Sequence, residues 1–128
     1  METLKDRKQK YIDDYKYQLW VAEIDYDTLQ KILPDMQNAR DLMQSEVDSC
    51  DKRIDELSKD PSREARENRK KVEEKKKSWE KKLDFQNIQI DGGKVEDKYM
   101  AGAIEKGEAL ETTIKNLEII IGIAEKHK

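Results

Sequence analysis

The sequence predicts an all-α fold, an elongated antiparallel coiled-coil bundle of three helices with the first long and kinked at Pro34. Three observations predict it. Apolar residues recur in a 4-3 rhythm over most of the chain. Charged residues make up 43% of the chain, yet the net charge is only −3, the balance of a helical surface laced with ion pairs. Only two local signals are strong enough to end a helix. A chain of 128 residues has room for one domain, here a single helical domain over residues 1–128 with helices at 3–58, 61–90 and 95–126.

The first helix rests on the run Ile12, Tyr15, Leu19, Ala22, Tyr26, Leu29, Leu33, Met36, Met43, Val47, Cys50, Ile54 and Leu57. Arg40 fills the one slot that is not apolar. A period of 3.5 residues held in one phase is the pattern of a supercoiled seam. Pro34 withdraws a backbone donor and costs about 3 kcal/mol inside a helix, so a break there, giving a four-helix bundle, is the alternative. The phase is the same on both sides of Pro34 and Leu33 is a poor N-cap, which favours one kinked helix.

Asp60-Pro61 places an N-cap carboxylate before a proline suited to the first helical position, with Glu64 in the first turn. The second helix therefore begins at 61. Its stripe is Ala65, Val72, Trp79, Leu83 and Ile90, with Arg69, Lys76 and Gln86 between them, and Asp91-Gly92-Gly93 ends it. The third helix carries Met100, Ala103, Gly107, Leu110, Ile114, Leu117, Ile121 and Ala124. Ile104, Ile119, Ile120 and Ile123 widen that face beyond a narrow seam.

Short connections make successive helices antiparallel neighbours. Counting outward from each turn then stacks Met36 with Gln86 and Met100, Met43 with Trp79 and Gly107, Cys50 with Val72 and Ile114, and Leu57 with Ala65 and Ile121. At about 1.5 Å per residue, the later helices reach back only to about residue 28, leaving an N-terminal overhang of about 40 Å. That overhang holds four of the five tyrosines and one of the two tryptophans. Tyr11, Tyr15, Tyr17, Trp20, Val21, Ile24 and Tyr26 are therefore the expected partner-binding residues, because Tyr and Trp bury large areas with few rotors and keep a polar tip.

Residues 59–82 hold 11 basic and 6 acidic groups, whereas residues 1–58 hold 9 and 14. Arg63, Arg66, Arg69, Lys70, Lys76 and Lys77 are the candidate nucleic-acid contacts, with salt-sensitive binding as their signature. The interleaved acids and the complementary charge of the neighbouring helices make mutual helix selection the stronger explanation.

Nothing in the sequence marks catalysis. His127 is the only histidine, there is no Glu-x-x-His motif, and no glycine loop is built to cradle phosphate. No catalytic residue, cofactor or metal site is expected. Cys50 is the only cysteine, which rules out an intrachain disulfide and, with no apolar run resembling a leader or a membrane span, points to a cytoplasmic setting without membrane contact. The expected function is that of a non-catalytic structural, scaffold or adaptor protein that associates with a protein partner or with itself as a homo-oligomer. Nucleic-acid binding through residues 63–82 and inhibition of a macromolecular partner are the alternatives.

Overall fold

The computed structural model describes residues 1–127. The chain is all-α, with three helices and one small hairpin in the order α1 (Leu4–Ser58), α2 (Arg63–Asp91), β1 (Gly93–Val95), β2 (Lys98–Met100) and α3 (Ala103–Lys126). It divides into two compact units. One joins residues 1–32 to the chain from Ala103 onward; the other is Leu33–Gly102.

Helix α1 runs through Pro34 without a break, so the four-helix alternative does not occur. Its start is a reciprocal cap. The Asp6 amide donates to Thr3 Oγ1 at 3.2 Å and the Thr3 amide to Asp6 Oδ2 at 3.1 Å, which satisfies two donors that the first turn leaves orphaned. The Thr3 amide also holds the Asp6 carboxyl below its ordinary range.

In the first unit, α3 runs antiparallel to the N-terminal half of α1. Lys8 Nζ donates to the His127 carbonyl at 3.4 Å, Lys16 pairs with Glu125 at 2.8 Å, and at the other end Gly107 lies against Leu29 and Gln30. Ile12 and Ala22 are buried on one side of the seam, and Ala103, Leu117 and Ile121 on the other. This corrects the expected overhang: residues 8–30 of α1 have α3 beside them. It also corrects the layer in which Gly107 faced Trp79, and with it the assignment of α3 residues to the stretch Met36–Leu57. The expected overhang assumed that α3 turns back alongside α2, whereas α3 pairs with the N-terminal half of α1. The 95–102 segment, expected to be helix with Met100 on its stripe, instead forms the turn and second strand of the Gly93–Met100 hairpin and the approach to α3.

In the second unit, α2 returns along the C-terminal half of α1 as expected. Gln86 Nε2 donates to the Met36 carbonyl at 2.9 Å, Arg40 pairs with Asp91 at 3.1 Å, and Lys76 pairs with Asp51 at 2.5 Å. Val47, Cys50 and Leu57 are buried on α1, and Ala65 and Ile90 on α2. Arg40, the one polar side chain in the α1 stripe, thus finds its acid within the chain.

The N-cap of α2 is Ser62 rather than Asp60, and the helix begins at Arg63 rather than Pro61. Ser62 Oγ accepts from the Ala65 amide at 3.1 Å, while Asp60 Oδ1 accepts from the Ser62 amide at 2.9 Å. Asp60 therefore shapes the turn before the helix, and that amide bond lowers its carboxyl pKa.

The Gly92 amide closes α2 onto the Ile88 carbonyl at 2.8 Å, with Gly92 at φ 87°. Strands β1 and β2 pair antiparallel, Val95 opposite Lys98, across a two-residue turn in which Glu96 and Asp97 take φ of 50° and 67°. Both residues sit in left-handed conformations that glycine or asparagine fills more easily, which is why the sequence shows no hairpin signal there. A Cβ at Gly102 would overlap the backbone at Gly92, Ile90 and Asp91, so the chain re-enters α3 by a close backbone approach that only glycine allows.

Two predictions follow from these joints. Gly102→Ala should destabilise the protein by about 2 kcal/mol or more, whereas Gly122→Ala, in open space on α3, should stabilise it by about 0.5–1 kcal/mol; urea titration of both variants provides the comparison. The depressed carboxyls of Asp6 and Asp60 contribute stability that is present above their unfolded-state pKa and is lost as pH falls through the folded one. Asp60→Asn keeps the turn and has no proton to gain, so its stability should fall less than that of the wild type between pH 7 and about pH 2.

Candidate association surface

The candidate surface lies in the first unit, on the N-terminal half of α1. At 100° per residue, the seam residues Ile12, Tyr15, Leu19, Ala22, Tyr26 and Leu29 fall on one side of the helix, while Tyr17, Trp20 and Ile24 centre roughly 180° away from them. Burial follows this geometry. Ile12 is 1% exposed, whereas Tyr17, Trp20 and Ile24 are 64%, 58% and 44% exposed. The Tyr17 and Trp20 rings lie 6.0 Å apart, tilted by 44°, within the range in which aromatic pairs attract. This half of α1 therefore has two apolar faces, one occupied by α3 and the other open.

The seven residues expected to bind a partner divide accordingly. Tyr17, Trp20 and Ile24 form the outer stripe, and half-buried Val21 borders it. Tyr11 is exposed near the edge of the seam. Tyr15 and Tyr26 are half-buried seam residues facing α3, which is what their places in the 4-3 rhythm require.

A second apolar patch, on the face of α3 away from its seam, carries Ile119 and Ile123 at 60% and 55% exposure. These two isoleucines therefore do not widen the seam face, as the sequence led one to expect, but form a separate face. Their spacing was the signal: Ile119 and Ile123 fall on the wheel opposite Ile121 and Ile114.

In the second unit, the basic residues of α2 face more than one way. Arg66, Lys70 and Lys77 are exposed. Arg63 pairs with Glu67 at 3.3 Å, half-buried Arg69 lies 3.5 Å from Glu73, and half-buried Lys76 is engaged by Asp51 across the seam. That ammonium is held above its ordinary pKa, chiefly by the Asp51 hydrogen bond. Lys82 Nζ stands 4.5 Å from the centre of the Trp79 ring, an intrahelical cation–π contact. A cleft of about 390 Å³ lined by Arg63, Arg66, Glu67, Arg69 and Lys70 gathers four cations around one carboxylate. Three of the six candidate cations, Arg63, Arg69 and Lys76, thus lie against acids of the same helix or of α1, while Arg66, Lys70 and Lys77 stay exposed.

Among the described residues, no group of three His, Cys, Asp or Glu side chains is placed to hold a metal ion, and no helix is long and apolar enough to cross a membrane. Cys50 is a free, buried thiol in the α1 seam, packed as a small hydrophobe. Comparison of the chain with protein-family models, with curated proteins and with solved structures finds no match.

Proposed function

We propose that the protein works by protein–protein association through the outer face of the N-terminal half of α1, as a non-catalytic structural, scaffold or adaptor module. The observation that carries this reading is the Tyr17–Trp20–Ile24 stripe, which lies opposite the seam and stays exposed after α3 has covered the other side. An exposed aromatic stripe of this kind is what interface centres are made of: large side chains that exclude water and lose little rotamer freedom on docking. The polar ends of Tyr17 and Trp20 keep such a face tolerable in water while it awaits a partner. A single free, buried cysteine suits the cytoplasmic setting expected from the sequence.

The alternatives have weaker support. Nucleic-acid binding would rest on the outward cations of α2, which are interleaved with Glu67 and Glu74. Inhibition of a macromolecule would use the same aromatic stripe and is a special case of association.

A photoreactive amino acid at position 20, with one at exposed position 48 as reference, tests the proposal in the cells that make the protein. Adducts of discrete mass are expected from position 20 and not from position 48. Equal labelling from both positions, or no adduct from either, would count against it.

A further inference from the structure

We infer that the outer stripe of α1 docks against the same stripe of a second copy of this chain, the two helices antiparallel and centred at the level of Ala22. The inference rests on the association reading above and names its occupant.

The charges that border the stripe carry the argument. Asp13 and Lys31 are equidistant from Ala22 in the sequence and about five full turns apart, so they fall on the centre line of the stripe, one beyond each end. Both are exposed. A twofold axis through the level of Ala22 brings Asp13 of one copy opposite Lys31 of the other, and repeats the pair at the far end of the contact. Trp20 and Ile24 are also equidistant from Ala22, so the same axis sets each indole ring against the other copy's isoleucine, a large side chain against a smaller one. A parallel arrangement would instead place Asp13 against Asp13 and Lys31 against Lys31. Like charges facing each other are unfavourable, and interfaces use such contrasts to fix orientation. The stripe is therefore complementary to itself in one orientation only, as an isologous contact must be.

The area is consistent with this occupant. At the observed exposure, Tyr17, Trp20 and Ile24 offer roughly 400 Å² from each copy, about 800 Å² in all before the stems of the bordering Asp13, Val21 and Lys31 are added. That approaches the roughly 1,000 Å² at which a specific interface holds, and it implies a dimer that dissociates on dilution. The contact would extend over about 27 Å of each helix, from Asp13 to Lys31.

Sedimentation equilibrium over a wide concentration range at low and moderate ionic strength tests the inference, with helicity checked for every variant. The wild type is expected to form a dissociable dimer. Trp20→Asp should weaken it by about a hundredfold. Asp13→Lys and Lys31→Asp should each weaken it by about tenfold. The double reversal Asp13→Lys/Lys31→Asp should restore it, and an equimolar mixture of the two single variants should form a heterodimer in preference to either homodimer. A dimer indifferent to all these changes would overturn the location of the contact, and failure of the double reversal to rescue would overturn the antiparallel pairing. A wild type that remains monomeric at every concentration overturns self-docking. In that case, an adduct with a different protein at position 20 leaves the association reading standing, whereas the absence of any adduct ends both.

Discussion

The structure depends on the width of one apolar seam. Apolar residues spaced every 3.5 positions give α1 a stripe that one neighbouring helix can cover, and both units are built on that rule. In the first unit α3 covers Ile12 through Leu29; in the second α2 covers Met36 through Leu57. A two-helix contact leaves much of each heptad facing water, and among the described residues the only large side chains below 2% exposure are Ile12 and Ile90. With so little apolar interior, polar contacts have to define the pairing. Gln86 holds the Met36 carbonyl, Arg40 meets Asp91 and Lys76 meets Asp51 in the second unit, and Lys16 meets Glu125 in the first. Each exposed ion pair contributes little to stability. Their value is directional, because a shift of one helix along the other would leave the buried Gln86 amide without its acceptor.

The same narrowness shapes the functional reading. A helix whose apolar residues serve only one neighbour should be polar elsewhere, and most of α1 obeys this. Residues 17–24 do not: Tyr17, Trp20 and Ile24 sit where charged residues would be expected and stay exposed outside the seam. The basic stretch of α2 looks like a binding motif when counted by composition, yet Arg63, Arg69 and Lys76 are matched by acids of the same chain. Charge density in a helix is therefore a poor guide to ligands until its partners are known, whereas an aromatic stripe opposite a filled seam has no internal explanation.

The heptad rhythm alone determined which side chains turn inward. The stripe positions read from the sequence in α1, α2 and α3 are the buried and half-buried ones in the structure, including the glycine at 107 and the half-buried Arg40 and Lys76. Periodicity is a local property, fixed by 3.6 residues per turn, and needs no knowledge of the partner. The outer stripe was legible for the same reason, since Tyr17, Trp20 and Ile24 fall on the wheel wherever α3 lies. Tertiary structure decided which helix covers which half of α1. That choice turned on the segment between Gly92 and Ala103, where Glu96 and Asp97 adopt left-handed conformations that their residue types do not announce and Gly102 permits an approach to the Gly92 backbone that no pattern of apolar residues encodes. A seam specifies that a helix needs a neighbour; the geometry of the connecting chain decides which neighbour can reach it.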